Sequence, residues 1–260
     1  MERMYRGVRT WTPNPGCEYD CAACKPTFQR QAKRRPCPLC KAYKPHAHLS
    51  RLKSIPSGKI IFVNASGDLA FAAENVREQI VEAVRKNALT HPGKLFYFQT
   101  KNPNFLYNRL VPLLKGLEGQ VILLITLETN RDADYEKYSR APSPTTRFMT
   151  FRAIDWLRKI VTIEPIMDFD HDIFLKELVE LKPEAVYIGY NSHPKEVKLP
   201  EPSWPKVRTL IEALEAAGIE VRPKDLRRTS CKHRRYGTVC DYPAPNLIPE
   251  RDCPCDKWVT

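Results

Sequence analysis

The sequence predicts an α/β protein whose parallel strands form a partial or complete (β/α) TIM-type barrel, with a cysteine-rich insertion and a cysteine-rich tail. The first observation behind this prediction is that short apolar runs, each too short for a helix, recur from residue 58 to about residue 222. The second is that amphipathic stretches with helical periodicity separate these runs. Strands that alternate with helices in this way form βα units and a parallel sheet.

Five of the runs are rich in β-branched or aromatic residues, which indicates strands buried on both faces. They are residues 60–63, 95–98, 121–125, 160–163 and 185–188. A weaker first strand is predicted at residues 7–11 and a short last strand at residues 219–221. Helices are predicted around residues 76–84, 174–181 and 207–214. Because six or seven βα units favour a barrel, we expect the functional site at the carboxyl ends of the strands.

Two segments fall outside this alternation and divide the chain. We predict a barrel domain over residues 1–222, with a basic, cysteine-rich insertion at residues 25–57, and a cysteine-rich extension over residues 223–260. No run approaches the roughly 18 apolar residues of a membrane-spanning helix, and the first residues lack the apolar core of a signal peptide. We therefore expect a cytoplasmic protein with no membrane contact, whose nine cysteines are reduced.

The net charge of +12 is concentrated in two segments. Residues 25–59 contain ten Lys or Arg residues and no Asp or Glu, and residues 222–236 contain seven basic residues and one acidic residue. Such segments suit a polyanionic partner, so RNA or DNA is a candidate substrate. The alternative is a solvated basic surface, and aromatic residues for base stacking are sparse in both segments.

Three cysteines follow the first predicted strand at the spacing C-x3-C-x2-C. They are Cys17, Cys21 and Cys24. Three thiolates on one loop can hold three irons of a 4Fe–4S cluster and leave the fourth iron open to a substrate or cofactor. The alternative is a zinc knuckle in which a histidine joins the same thiolates.

Polar side chains follow five of the predicted strands at the points where the strands end. They are Asn64, Ser66, Asp68, Gln99, Thr100, Lys101, Thr126, Glu128, Asn130, Glu164, Asn191 and Ser192. The cysteine loop shares their rim of the barrel, so these side chains predict a pocket. Glu164 is the candidate catalytic residue, since a carboxylate directly after an apolar strand is costly unless it is paired or faces a polar pocket. It would orient a substrate or exchange protons there; an ion pair with a neighbouring Lys or Arg is the alternative.

The cysteine loop resembles that of the radical SAM superfamily. Four segments in order resemble a poorly characterised radical-SAM-like family that is widespread in prokaryotes and phages; they are residues 12–17, 61–69, 98–103 and 163–166. Two features depart from the superfamily. Ala23 stands where many members have an aromatic residue, and the glycine-rich motif after the second strand is reduced to residues 66–68.

The resemblance implies an enzyme that binds a 4Fe–4S cluster through the three loop cysteines and reductively cleaves S-adenosylmethionine. It also implies a partner of the flavodoxin or ferredoxin type that supplies the electron. The residues that would bind S-adenosylmethionine are Ser66, Gly67, Asp68, Lys101, Glu128, Asn130 and Asn191. Gly67 and Asp68 would contact the methionyl amine, and Lys101 would contact the methionyl carboxylate. Glu128 or Asn130 would contact the ribose, and Asn191 would contact the adenosyl group. A nucleic acid, a peptide or a small molecule remains open as the substrate.

The six other cysteines form two groups. The tail group is Cys231, Cys240, Cys253 and Cys255, four thiolates that would bind an auxiliary 4Fe–4S cluster or a structural zinc. In the insertion, Cys37 and Cys40 could complete a zinc site with His46 and His48. The two insertion cysteines could instead share one metal with the tail cysteines.

A non-catalytic, zinc-stabilised nucleic-acid-binding protein is the main alternative function. It would explain the positive charge and the number of cysteines, but it does not explain polar residues at so many strand ends. An electron-transfer protein is disfavoured, because a three-cysteine site leaves one iron exposed. Nothing in the sequence indicates the oligomeric state.

Overall fold

The computed structural model describes residues 7–224 and 226, and the backbone of two short strands near the carboxyl terminus. Seven strands form the main sheet: β1 Val8–Trp11, β2 Ile60–Val63, β3 Leu95–Thr100, β4 Val121–Thr126, β5 Lys159–Ile163, β6 Ala185–Ile188 and β7 Glu220–Pro223. The two short strands, β8 Arg234–Arg235 and β9 Val239–Cys240, form a separate antiparallel pair.

The strands of the main sheet lie side by side in the order in which the chain makes them. Every neighbouring pair is parallel, so each connection crosses over one face of the sheet. The sheet curls into a half-barrel with β1 and β7 at its two edges. The predicted partial TIM-type barrel is therefore confirmed, and it is the open form of that fold.

Four longer helices cover the sheet: α3 Glu74–Thr90, α6 Pro144–Ala153, α7 His171–Glu180 and α8 Trp204–Ala216. Shorter α-helical turns are α1 Arg30–Ala32, α2 Pro38–Lys41, α4 Pro103–Phe105 and α5 Val111–Leu114. The 3-10 turns are Ala22–Cys24, Leu49–Lys53, Leu69–Phe71 and Tyr135–Lys137, and π-helical turns span Lys25–Gln29 and Leu106–Leu110.

The core has two parts because alternate residues of a strand face opposite sides of the sheet. On the outer face, Ile61, Phe98 and Leu123 pack with the helices, where α3 contributes a buried stripe that includes Ile80 and Val84. Inside the curl, a smaller group fills the barrel: Phe62, Tyr97, Ile122, Leu124, Ile160, Ala185 and Tyr187. All six residues of β4 are buried, as expected for a central parallel strand covered on both faces.

The predicted extension over residues 223–260 begins at the end of β7, and most of it lies outside the described residues. The proposed division into residues 1–222 and 223–260 therefore stays a prediction. Among the helices of the described part, none combines the length and the apolarity that crossing a bilayer requires.

Candidate functional site

The cysteine loop leaves β1 and meets the segment that follows β2 at a contact between two glycines. Gly16 and Gly67 form an isolated parallel bridge. The Gly16 N–H donates to the Ser66 carbonyl at 3.1 Å, and the Asp68 N–H donates to the Gly16 carbonyl at 3.2 Å. The predicted cofactor-binding segment 66–68 is thus bonded directly to the residue before Cys17.

Both glycines are required by the closeness of this contact. A Cβ atom on Gly67 would lie 2.7 Å from the carbonyl oxygens of Asn14 and Gly16. Gly16 has a φ of +98°, and a Cβ there would overlap the Lys44 carbonyl group of the insertion. The cysteine loop, the insertion and the end of β2 therefore meet with no room for a side chain between them.

The three loop cysteines lie together in one small apolar cluster on this rim. Cys21 is buried, and Cys17 and Cys24 are half-buried. The Cys21 Sγ atom lies 3.1 Å from Ser139 Oγ and 3.4 Å from Lys101 Nζ, and the Cys21 and Cys24 side chains hydrogen-bond to each other. The other members of the cluster are Tyr19, Phe71, Tyr135, Tyr138, Ala141, Met167 and Leu199.

These surroundings give the three thiols different proton affinities. The hydrogen bond from Cys24, helped by the Lys101 ammonium against the effect of burial, lowers the pKa of Cys21 to about 5. Burial raises the pKa of Cys17, and the bond to Cys21 together with burial raises the pKa of Cys24. A set of three thiols with one held as a thiolate, enclosed by apolar side chains, fits an iron–sulfur cluster.

Glu128 lies at the centre of a buried charged network beside Cys21. Its carboxylate pairs with Lys101 and accepts a hydrogen bond from Arg147 Nη1 at 2.7 Å, while the Tyr135 hydroxyl donates to it at 3.1 Å. Burial would raise the pKa of Glu128, but Arg147 and Lys101 hold it at about 2. The site therefore contains a permanent negative charge between two cations.

Asp68 is the second buried carboxylate of the rim, and it joins the ends of β2 and β3. The Thr100 hydroxyl lies 2.8 Å from both of its oxygens, and the N–H groups of Ala70 and Lys101 donate to it at 2.9 and 3.1 Å. Burial raises the pKa of Asp68 against the effect of these donors. Asp68, Lys101 and Glu128 thus lie on the same rim as the cysteines, as the strand-end pattern predicted.

Two predicted cofactor residues are bonded to local backbone instead. The side-chain amide of Asn130 accepts from the Asp170 N–H at 2.9 Å and donates to the Asp170 carbonyl at 3.3 Å. Asn191 is buried, donates to the Val197 carbonyl at 2.8 Å and accepts from the His193 N–H at 3.0 Å. These bonds order the loops after β4 and β6, and contact with a cofactor stays a prediction for both residues.

Glu164, the predicted catalytic residue, follows β5 and forms an ion pair with Lys224. The structure therefore contains the partner that the sequence left open as an alternative. Both side chains are about one-fifth exposed, at 19% and 22%. The pair is reachable from solvent, and a catalytic part for Glu164 stays a prediction.

The insertion brings together two cysteines and two histidines at a second place. The ligand atoms of Cys37, Cys40, His46 and His48 all lie within 4.8 Å of one another, so the group can hold a metal ion. His46 Nε2 lies 3.4 Å from each sulfur, and His48 Nε2 lies 3.2 Å from the Cys40 sulfur. Of the four tail cysteines, only the backbone of Cys240 is described, so the predicted auxiliary metal site lies outside the described residues.

Three residues that contact the site were not predicted. Arg147 is fully buried on α6, although the sequence offered a signal: it shares a helix face with Phe148 and Phe151, where a cation needs a buried partner. Ser139 and Tyr135 lie in the loop after β4, and no pattern in the sequence marks them.

Comparisons with known proteins agree with this architecture at the level of the fold. No protein-family model matches the chain, and no curated protein matches its sequence. Among solved structures, the chain is similar to the radical SAM enzyme SuiB of Streptococcus suis, in the crystal structure of SuiB bound to precursor peptide SuiA, with a TM-score of 0.54 and 12% sequence identity. The match covers 84% of this chain and 48% of that chain, so this chain spans about half the length of SuiB. At this identity the likeness is one of fold alone: the chain shares the curled α/β half-barrel architecture of SuiB.

Proposed function

We propose that the chain is a radical SAM enzyme in which Cys17, Cys21 and Cys24 bind a 4Fe–4S cluster through three of its irons. The observation that carries this proposal is the cluster of three thiols after β1, beside a buried network of fixed charges at the carboxyl rim of a radical SAM-like half-barrel. The bound cluster would supply one electron for the reductive cleavage of S-adenosylmethionine at its open iron.

The surrounding residues prepare this rim for such chemistry. The cysteine thiolates bind iron, and the aromatic side chains of Tyr19 and Tyr135 exclude water from the sulfur atoms. Lys101 places an ammonium group between Cys21 and Glu128 and so offsets part of the thiolate charge. Gly67 and Asp68 hold the cysteine loop at a fixed distance from β2.

The test is anaerobic reconstitution with iron and sulfide, followed by reduction and incubation with S-adenosylmethionine. We expect the wild-type protein to bind about four irons per chain and to release 5′-deoxyadenosine. Cys21→Ala should lose the iron and the product, because it removes a ligand. Ser139→Ala is the matched control, since it removes a neighbour of the same sulfur and no ligand, and it should keep the iron.

Two results would contradict the proposal. Zinc bound at the three cysteines with no cluster would remove the basis for an enzyme. Equal iron content in the wild type and in Cys21→Ala would place the iron elsewhere. A loaded cluster without 5′-deoxyadenosine would call for the same assay in the presence of RNA, DNA and peptides, because cleavage would then depend on the substrate.

One observation favours the alternative function, a nucleic-acid-binding protein. The Cys/His group of the insertion suits zinc, and it lies within the most basic segment of the chain, as a non-catalytic, zinc-stabilised nucleic-acid-binding protein would require. The metal at Cys17, Cys21 and Cys24 separates the two functions, since iron with sulfide supports the enzyme and zinc alone supports the binding protein. We rank the enzyme first, because a binding protein has no need for the charged network around Glu128.

A further inference from the structure

The Cys/His group of the insertion has no part in the chemistry proposed above, and its construction is that of a metal site. Cys37 directly precedes α2 and Cys40 lies in its first turn, so both sulfurs face the same side. His46 and His48 lie in the irregular segment between α2 and the 3-10 turn Leu49–Lys53, and their rings contact each other with centroids 4.6 Å apart. The start of a short helix and the irregular segment after it thus supply two ligands each.

The distances agree with one tetrahedral ion. With the usual Zn–N and Zn–S bond lengths, neighbouring ligand atoms lie about 3.3 Å apart for two nitrogens and about 3.6 Å apart for nitrogen and sulfur. The structure has 2.9 Å between His46 Nε2 and His48 Nε2 and 3.2 to 3.4 Å for three of the four nitrogen–sulfur pairs, and all four ligand atoms lie within 4.8 Å of one another. Two thiolates with two imidazoles are a set that favours zinc.

The second ring nitrogen of His46 supports the same assignment. Its Nδ1 lies 2.8 Å from the Lys44 carbonyl oxygen. Because this oxygen can only accept a hydrogen bond, Nδ1 must carry the proton. That tautomer leaves Nε2 with a free lone pair pointed at the two sulfurs. Metal-binding histidines are oriented in this way by a backbone carbonyl or a carboxylate.

We propose that Cys37, Cys40, His46 and His48 bind one Zn²⁺, and that this zinc holds residues 43–48 against the cysteine loop. The held segment is bonded to the residues that precede the first loop cysteine. The N–H groups of His48 and His46 donate to the carbonyls of Pro13 and Pro15, at 2.7 and 3.2 Å. The N–H of Cys17 donates in turn to the Tyr43 carbonyl at 3.2 Å.

The composition of the insertion explains why it needs an ion. α1 continues the π-helical turn Lys25–Gln29 for three residues and α2 has four residues, and both helical stretches are too short to be stable alone. Residues 25–59 carry ten basic side chains and no acidic one, so they repel one another. Zinc binding contributes to folding free energy directly when a segment lacks a core of its own.

X-ray absorption at the zinc edge on the wild-type full-length protein tests the ligand set without any variant. We expect about one zinc per chain with two sulfur and two nitrogen neighbours. A zinc shell of sulfur alone would overturn the assignment, because it would place the ion among other cysteines. A wild-type protein purified with no zinc, and binding none when zinc is added, would overturn it as well.

Two variants at one position add a matched comparison. Cys40→Ala should lose the zinc, whereas Cys40→His should retain it, because an imidazole replaces the thiolate. Cys21→Ala, whose cysteine belongs to the other group, should keep one zinc per chain. Equal zinc content in Cys40→Ala and the wild type would contradict the site.

Hydrogen exchange tests whether the zinc holds the cysteine loop. Chelation of the zinc should speed exchange at the amides of Cys17, His46 and His48 while amides of β4 stay protected. Unchanged exchange after complete removal of zinc would disprove the bracing role and leave the site itself intact. Lower iron loading in Cys40→Ala is also expected; that part rests on the proposed function, and it fails separately if the wild type binds no iron.

Discussion

Glu128 keeps a full negative charge although only 3% of its surface is exposed. Removing a carboxylate from water is costly, and it is tolerated here because Arg147, Lys101 and Tyr135 all bind it. Arg147 is itself fully buried and stacks over the Tyr135 ring at 4.7 Å. Loss of the Glu128 charge would leave Arg147 buried without its carboxylate partner, whereas loss of the Arg147 charge would leave Glu128 with Lys101 as its remaining cation.

Replacement of Glu128 by glutamine should therefore lower the free energy of unfolding by about 3 kcal/mol, the usual cost of breaking a buried ion pair. Urea denaturation measures this change. Glu196→Gln, which breaks an exposed pair with Arg30, is the control and should leave the midpoint unchanged.

The low pKa of Glu128 means that its contribution to the free energy of unfolding is complete above about pH 4.5 and is lost as the pH falls towards 2. Equal midpoints for the two variants would show that the network does not stabilise the fold.

For Glu177 on α7 we expect the opposite dependence of the stability of the fold on pH. Burial, followed by Asp132 and Glu180, raises its pKa from 4.5 to about 7. A raised carboxyl pKa costs stability as the pH rises through this window, because the folded state resists ionisation. Glu177→Gln should match the wild type at pH 4.5 and raise the Tm above pH 7 by about 2 to 4 °C. Calorimetry at both pH values tests this, with the exposed Glu78→Gln on α3 as the control; an equal shift at both values would be evidence against it.

The strand-end residues show how far the sequence could predict the candidate site. Parallel topology alone places Asp68, Lys101 and Glu128 on the rim of the cysteine loop, and that grouping is present. It could not predict that Asn130 and Asn191 would bind nearby backbone, because an amide accepts any partner that a loop offers. The partner of a loop residue depends on the path of the loop, which no periodic pattern encodes.

Among the elements, the strands and the helices with a clear apolar stripe were predicted, whereas the short helices of the insertion and two helical regions of the barrel were not. α3, α7 and α8 follow the predicted periodicity. The region from α4 to α5 contains a π-helical turn, which breaks the 3.6-residue spacing. α6 buries Arg147 on its apolar face, so a charge interrupts the stripe that would have identified it. Local irregularity at these two elements of the barrel hid them.

The turn after β2 gives a prediction at this scale. Gly67→Ala would place a methyl group 2.7 Å from two carbonyl oxygens, so the cysteine loop must move away from β2. We expect a loss of stability of about 1 to 3 kcal/mol, typical of overpacking, together with reduced iron binding. Gly119→Ala is the control, because a Cβ there meets nothing within 4 Å. Thermal unfolding and iron analysis measure both effects, and wild-type values in Gly67→Ala would contradict the tight contact.

At the scale of the whole molecule, the charge is the feature with a testable consequence. If the basic insertion binds a nucleic acid, the affinity for a single-stranded RNA should fall steeply with salt, by about 0.7 logarithmic units per tenfold change in salt for each phosphate neutralised. Exchange of the exposed Lys33 and Arg34 for glutamine should weaken binding and flatten this dependence. The same exchange at the exposed Lys115 and Lys176 is the control. Binding that is indifferent to salt would exclude the interaction.

Because Gly16 and Gly67 contact each other directly, the geometry of the rim does not depend on how many residues lie between these two glycines. These two residues join the ends of a segment that contains the cysteine loop, the insertion and β2, and the entropy of closing a loop rises only slowly with added residues. The insertion can therefore lengthen, shorten or change its sequence over evolutionary time while the cysteines stay in register with the strands. Residues 43–48 and Arg51 tie the insertion to residues 11–17, and Leu52 and Ile55 pack on the core, so new recognition surfaces can be grafted onto the other exposed positions of the insertion without rebuilding the site beneath it.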